Sequence, residues 1–327
     1  MNELQTSALL LDESLQLRLG SRDVAAPMHG EALVRIEWAG VCGSDLHAMR
    51  SGAWIEYWPA VLGHEIVGVI ESCPNAELGV GTRVVVDSRL PCRRCDGCTR
   101  AFNQCQNLAW VGEKRPGGYE RYATFDVASL HTCPTTMEPP IAVLAEPLAV
   151  ALHAVNAIGQ APERVLILGH GPIGALAQLV VRSRWPQTSV FVIEVNPERR
   201  QLAAAFGAVV VAGEASGESW PVVLDTAGYA GSLLDALSRV QNGGRVVLVA
   251  LAHQPVELLP ADLVEHAVTL IGVNGFDNEL PQAIELLARD ADTYRPVITE
   301  ALLLEEAADR LRGLDASPAV GKVVIQL

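Results

Sequence analysis

The chain has 327 residues, half of them hydrophobic, and a formal net charge of −14. That length suits two domains of ordinary size with substantial cores, and the acidic balance, with no Lys/Arg cluster, argues against a nucleic-acid footprint. No apolar run approaches the roughly 18 residues that span a membrane, and the opening Met1-Asn2-Glu3-Leu4-Gln5 lacks the basic and apolar regions of a secretory signal, so a cytoplasmic location is expected.

Residues 1–37 alternate short apolar runs, Ala8–Leu11 and Ala32–Ile36, with Gly, Pro and charged residues, a strand-and-turn pattern. Ile66–Ile70 and Arg83–Asp87 continue it, so the first 130 residues read as mostly β, with short, irregularly spaced strands that suit a partly open barrel. Between them lies the stretch from Cys42 to Glu65, which carries Cys42, Ser44, Asp45, His47, His64 and Glu65. Catalytic zinc sites take three ligands of the Cys, His and Asp/Glu type and leave a fourth position open. Cys42 and His64 are candidates for two of them; the competing readings are a small buried thiol and a satisfied core histidine.

Seven cysteines are an odd number, and four of them, Cys92, Cys95, Cys98 and Cys105, are crowded together. In a reducing compartment this spacing points to one tetrahedral zinc closed to solvent rather than to disulfides. A nucleic-acid ribbon would bring flanking basic and aromatic residues in quantity, and these are missing. Cys73 and Cys133 read as structural or incidental.

Gly117-Gly118-Tyr119 forms a turn into a strand over Glu120–Phe125, and Pro134–Pro140 reads as a loop. From Ile141 the apolar residues recur at three and four (Ile141, Leu144, Ala145, Leu148, Ala151, Leu152, Val155), which is a helix. Glu146 and His153 sit inside it, and a carboxylate in such a setting needs a partner. Pro147 fits a helix beginning there. The alternative for Glu146 is a surface position favoured by the helix dipole.

After the turn at Gly159–Pro162, Arg164–Leu168 is a continuous apolar run of the buried parallel kind. It leads into Gly169-His-Gly171-Pro172-Ile173-Gly174, a helix over Ala175–Arg184, a strand over Ser189–Ile193 and then Glu194. Strand, G-x-G-x-x-G, helix, strand and acidic residue make up the dinucleotide fingerprint in its proper context. Pyrophosphate then sits on the helix N-terminus. Glu194 can accept the ribose hydroxyls of NAD and would repel the 2′-phosphate of NADP; Arg199 and Arg200 follow shortly and keep NADP open as the alternative to NAD, and Arg199 is a candidate cofactor contact.

Val209–Val211, Val222–Asp225, Gly244–Ala250 and Thr269–Val273 read as further strands, with helices such as Gly231–Val240 between them, giving a doubly wound parallel sheet of about six strands. Leu280–Ala288 and Glu305–Leu314 read as helices and Lys322–Leu327 as a last strand. The expected division is a catalytic domain over residues 1–150, a dinucleotide domain over 151–285 and a segment over 286–327 that returns to the first domain.

The ordered set Cys42-Gly-Ser44-Asp45-Leu-His47, Gly63-His64-Glu65-x-x-Gly68, the four-cysteine lobe, Ala145-Glu146-Pro147-Leu, Gly169-x-Gly171-x-x-Gly174 and Glu194 resembles the zinc-dependent medium-chain dehydrogenase/reductase family over essentially the whole chain. The resemblance implies an α/β protein: a GroES-like, partly open β-barrel catalytic domain and a doubly wound Rossmann domain. It implies a catalytic zinc on Cys42, His64 and Glu146, with Glu65 as a ligand or close neighbour, a structural zinc on Cys92, Cys95, Cys98 and Cys105, and NAD rather than NADP. Glu146 stands where many members have Cys and where the polyol branch has Glu. One departure is the Cys98–Cys105 gap, one residue shorter than is usual.

The implied reaction is oxidation of a secondary alcohol, with Ser44 taking the hydroxyl proton, His47 passing it to solvent and Asp45 orienting His64. For Ser44 and His47 the competing readings are a turn hydroxyl and a surface histidine. The expected substrate is a polyol or sugar-like alcohol, with L-threonine or another biosynthetic alcohol as the near alternative. A non-catalytic cofactor-binding member and a zinc-free quinone reductase are opposed by the retained Cys42, His64 and Glu146. A homodimer or homotetramer paired through the cofactor-domain sheet is expected. Trp54, Tyr57, Trp58 and Trp110 can wall the pocket, and Ser51, Glu113 and Arg115 can reach substrate hydroxyls, but no sequence rule selects among them.

Overall fold

The computed structural model describes residues 4–74, 78–212 and 218–327; residues 1–3, which open the segment read above for a secretory signal, lie outside the described residues. The chain divides into two compact units, Met1–Glu146 with Leu280–Leu327, and Pro147–Glu279. These divisions fall four and six residues before the limits of 150 and 285 read from sequence.

The first unit opens with the hairpin β1 (Leu4–Leu11) and β2 (Leu17–Val24), paired antiparallel along its full length. The long strand β3 (Glu31–Gly40) alternates buried and part-buried residues and leads through Cys42 into the short helix α1 (Gly43–Ser51). β4 (Glu65–Ser72), β5 (Arg83–Val86) and the two-residue β6 (Arg89–Leu90) follow. Next come helix α2 (Asp96–Arg100) inside the cysteine lobe, β7 (Ala109–Trp110), β8 (Tyr122–Asp126) and β9 (Leu130–Thr132).

The Pro134–Pro140 stretch read as a loop ends instead in helix α3 (Pro139–Ala142), with Pro139 and Pro140 in its first turn, where a missing N–H breaks no helical bond. α4 (Ala145–Ile158) carries the apolar three-and-four pattern. A second expectation also needs correction: the stretch Pro139–Ile158 is long and apolar enough to cross a membrane. However, 78% of its most apolar window is buried inside the protein, as in a core helix.

The second unit alternates strictly. β10 (Arg164–Leu168), α5 (Pro172–Arg184), β11 (Ser189–Ile193), α6 (Pro197–Ala205), β12 (Val209–Val210) and β13 (Trp220–Asp225) are followed by α7 (Ser232–Arg239), β14 (Val240–Leu248), α8 (Pro260–Glu265) and β15 (Thr269–Gly272). All six strands are parallel, in the order β12-β11-β10-β13-β14-β15. The order reverses at β10, and ligands of doubly wound sheets bind beyond the carboxyl end of the strand where that happens. Leu166, Leu168, Val223 and Val246 pack with Trp220 into its core.

The chain returns to the first unit through α9 (Glu279–Tyr294), β16 (Ile298–Leu303), α10 (Leu304–Gly313) and β17 (Lys322–Gln326). β17 adds antiparallel to the end of β3, giving the order β16-β17-β3-β4-β5-β9, with β8 on the other part of β3. One strand with three partners makes the sheet curl, and the bridges Ala8–Glu120 and Leu11–Ala60 tie the β1–β2 hairpin to it. Leu9, Leu11, Leu62, Leu304, Leu311 and Ile325 fill the core beside Tyr119. Each such apolar side chain contributes about 1.5–3 kcal/mol on burial. This core fixes the ends of β3, β4 and β17, which meet at the site described next: Gly40 stands opposite Glu65 on β4 and opposite Val324 on β17.

Candidate metal centres and dinucleotide loop

Two groups of metal-ligating side chains converge in the first unit. In the lobe, Cys92, Cys95, Cys98 and Cys105 bring their sulfurs within 4.8 Å of one another. The sulfur–sulfur separations are 3.6 Å for Cys95–Cys98 and 3.9 Å for both Cys92–Cys98 and Cys95–Cys105. Zinc–sulfur bonds of about 2.3 Å in a tetrahedron put neighbouring sulfurs about 3.8 Å apart, so the cage fits the ion. The short Cys98–Cys105 gap is spanned by α2 and a single 3₁₀ turn over Phe102–Gln104. The Arg94 backbone N–H and neighbouring thiols pull Cys92 down to about 6, toward the thiolate a metal needs.

The second group is Cys42, His64 and Glu65, whose ligand atoms also lie within 4.8 Å of one another. Cys42 caps α1, with its N–H donating to Asp45 Oδ2 at 2.9 Å. Asp45 is 4% exposed and also accepts from Gly63 N at 3.1 Å and the Tyr119 hydroxyl at 2.8 Å. Its Oδ1 stands 3.4 Å from His64 Nδ1, which leaves Nε2 for a metal. Burial alone disfavours the imidazolium, yet Asp45 and Cys42 carry the His64 pKa well above its ordinary value.

Glu65 is fully buried and its Oε1 lies 2.5 Å from the ammonium of Lys322, which also donates to Val41 O at 3.0 Å. Glu65 Oε2 is buried with no hydrogen-bond partner among the described residues. Glu146 lies outside the 4.8 Å group. It stands in the first turn of α4, 4% exposed, with its carboxyl pushed up to about 7 by burial, against the pull of the nearby His64 and with the push of Glu65. A thiol, an imidazole, an orphaned buried carboxylate oxygen and a second carboxyl that cannot ionise easily form a donor set of the kind a cation satisfies. The residues present fit a zinc ion.

Ser44 lies half-buried in the first turn of α1. His47, one turn on, lies with its ring centroid 5.0 Å from that of Trp54, the two planes tilted by 44°. Of the aromatic residues expected to wall the pocket, Tyr57 turns its hydroxyl to the backbone of Val61, and both Tyr57 and Trp58 pack against the core.

In the second unit the fingerprint takes the expected shape. Gly169 has φ +81°, and a Cβ on Gly174 would lie 2.3 Å from Gly169 O, so neither position accepts another residue without strain. Gly171 caps α5, with Pro172 and Ile173 in its first turn. The Glu194 carboxylate accepts the N–H groups of His170 at 2.7 Å, Val195 at 2.8 Å and Asn196 at 2.9 Å. It therefore holds the loop itself and keeps about one of its four acceptor positions for a ribose hydroxyl. The Arg199 guanidinium reaches to 3.9 Å from where a Cβ on Gly171 would stand.

Sequence reading missed three contributors. Lys322, on β17, and Tyr119, in the turn before β8, join the site from places distant in sequence. His170 is fully buried and bonds Gln178 at 2.7 Å beneath the loop. No local signal marks any of them.

Comparison with known proteins agrees with this fold. Residues 28–135 match the alcohol dehydrogenase GroES-like domain and residues 172–289 the zinc-binding dehydrogenase domain. The chain is 29% identical over 283 residues to the L-galactonate-5-dehydrogenase of Escherichia coli K12, covering 81% of this chain and 82% of that one. It is 28% identical over 309 residues to the D-altritol 5-dehydrogenase of Agrobacterium fabrum, covering 90% and 91%. A solved zinc-binding dehydrogenase target from Sinorhizobium meliloti 1021, bound to NADP, superposes with a TM-score of 0.91 at 26% identity, covering 99% and 100%. The chain belongs to the zinc-dependent medium-chain dehydrogenase/reductase family. It is an oxidoreductase that uses zinc and a nicotinamide dinucleotide.

Proposed function

We propose that this protein oxidises a secondary hydroxyl of a polyol or sugar-like substrate by hydride transfer to NAD. The observation that carries the proposal is the convergence of Cys42, His64 and Glu65 with the charge-starved Glu146 beside them. Cys42, His64 and Glu146 would hold the ion, with Glu65 kept back by Lys322. Zinc bound there supplies Lewis acidity toward an alcohol oxygen. Asp45 keeps the His64 ring oriented through Nδ1. The Ser44 hydroxyl, two residues from Cys42, takes the substrate proton, and His47, one turn further along α1, carries it to solvent. The polyol class is supported by the relative that acts on D-altritol.

Glu194 supports NAD over NADP, because its charge opposes a 2′-phosphate and three backbone N–H groups fix it in place. Relatives named for the oxidation of small alcohols support a small-molecule partner. The outer edge of β15, unpaired among the described residues, supports a homo-oligomer joined through that sheet, and seven cysteines outside any disulfide support a reducing, cytoplasmic setting.

The test is a screen of polyols, sugars and amino alcohols with NAD and NADP in parallel, followed by reduced-nicotinamide absorbance. Turnover of a polyol, at least about tenfold faster with NAD, is expected. Cys42→Ser should abolish turnover and leave NAD affinity unchanged. Retained turnover in that variant contradicts the assignment.

A further inference from the structure

Three polar side chains of the first unit stood equal in the sequence as possible contacts for substrate hydroxyls, and the structure separates them. The Ser51 hydroxyl is exposed and donates to His47 O at 2.8 Å. Arg115 is drawn away by Thr124 O at 3.1 Å, Asp126 at 3.5 Å and Glu31 at 3.7 Å. The Glu113 carboxylate, half-buried, has no hydrogen bond or ion pair among the described residues.

Its position is fixed by backbone. The turn after β7 closes through Gly112 N to Arg115 O at 2.8 Å and Glu113 N to Trp110 O at 3.2 Å. Gly117 N and Gly118 N then donate to Val61 O at 2.8 Å and Gly63 O at 2.7 Å, which binds this turn to the extended segment leading into His64. On its other side, Glu56 N donates to Glu113 O at 3.0 Å, joining it to the Trp54–Trp58 loop. The charges that reach the carboxyl are His64, Asp45 and Glu56, and burial acts first to push it up to about 7. The nearest lysine, Lys114, points its ammonium at Glu56 instead, 3.2 Å away.

A carboxyl group held beside the metal-ligand set, between an aromatic loop and the segment leading into His64, and without a partner among the described residues, is an acceptor waiting for a donor. We propose that Glu113 contacts the end of the substrate remote from the reacting carbon, accepting a hydrogen bond from a hydroxyl there, and selects uncharged polyols against alcohols that carry a carboxylate. The inference rests on the dehydrogenase reading above and deepens it. It also sets this chain apart from its relative that acts on L-galactonate, an anionic sugar acid. Once ionised, above about pH 7, an acid at this position repels a second carboxylate in a partly desolvated setting, where like charges a few ångströms apart change affinity by about tenfold or more.

The experiment uses the zinc-loaded full chain with NAD and compares each polyol with its aldonate, xylitol with D-xylonate and sorbitol with D-gluconate. Both kcat/KM and the dissociation constant of the aldonate, measured by calorimetry, are followed in the wild type, Glu113→Gln and Glu113→Ala. The wild type should favour the polyol at least about tenfold. Glu113→Gln, which keeps shape and hydrogen bonding, should raise the aldonate-to-polyol ratio about tenfold or more, and tighten aldonate binding, with NAD affinity unchanged. Glu113→Ala should lose activity on the polyol mainly through KM. A wild type that prefers the aldonate, or a ratio that Glu113→Gln leaves within about twofold, overturns the role of Glu113 while the dehydrogenase assignment stands. If NAD binds but no alcohol is turned over, both fall.

Discussion

Lys322 Nζ lies 2.5 Å from Glu65 Oε1, both side chains almost wholly out of solvent, across 257 residues of sequence. The pair joins the last strand of the chain to the residue that follows His64. Removing one member of a buried pair leaves the other charged and unmatched, at about 3–5 kcal/mol. Lys322→Met should therefore lower unfolding free energy in urea by that amount, and the double variant Lys322→Met/Glu65→Gln should recover most of it. A single variant within about 1 kcal/mol of the wild type would show that the pair contributes little.

Gly40 makes room for this carboxylate. A Cβ there would stand 1.8 Å from Glu65 Oε2 and 2.9 Å from Val143 Cγ1. Gly40→Ala should cost about 1–3 kcal/mol by overpacking and weaken zinc at the Cys42 site without touching the lobe. Equal stability with two tightly bound zincs would contradict the packing argument.

The four-cysteine lobe has little of its own to hold it together: α2 is five residues long and β6 and β7 are two each. A structural zinc then supplies folding energy directly. Cys98→Ser should remove one zinc per chain and make the lobe's amides exchange rapidly by hydrogen-exchange mass spectrometry. Unchanged protection would place the lobe's stability in its side-chain packing instead.

Glu279 Oε1 accepts from Asn156 at 2.9 Å and meets His153 Nδ1 at 2.8 Å, while Oε2 accepts from Asp277 N at 2.7 Å. Burial opposes ionisation here, but these donors bring the carboxyl down to about 2. A depressed carboxyl stabilises above its unfolded pKa, about 4.3, and that stability drains away as pH falls toward 2. Glu279→Gln should cost about 1 kcal/mol at pH 7, an amount reduced by partial exposure, and the gap should narrow between pH 4.5 and pH 2.5. A gap constant over that range would assign the cost to geometry rather than charge.

Much of this was legible in the chain because it is written locally. The parallel strands are continuous apolar runs, and the glycines of the 169–174 loop are demanded by a tight turn and a close helix contact within six residues. The lobe cysteines cluster in sequence as they do in space. Lys322 was not legible: it opens an ordinary apolar strand, and only the register of β17 on β3 brings it to Glu65. Glu113 was one of three equal candidates until the ion pairs of Arg115 and the bond of Ser51 removed the other two. α3 was hidden by its prolines, which read as loop residues unless their place in a first helical turn is already known.

The central claim is that Cys42, His64 and Glu146 grip a metal ion separate from the one in the lobe. Zinc per chain, measured by mass spectrometry of the purified wild type, Cys42→Ser and Glu146→Ala with the lobe intact, tests it most directly. The account predicts two zincs in the wild type and one in each variant, with fold retained. One zinc in the wild type, or two in Cys42→Ser, would contradict it.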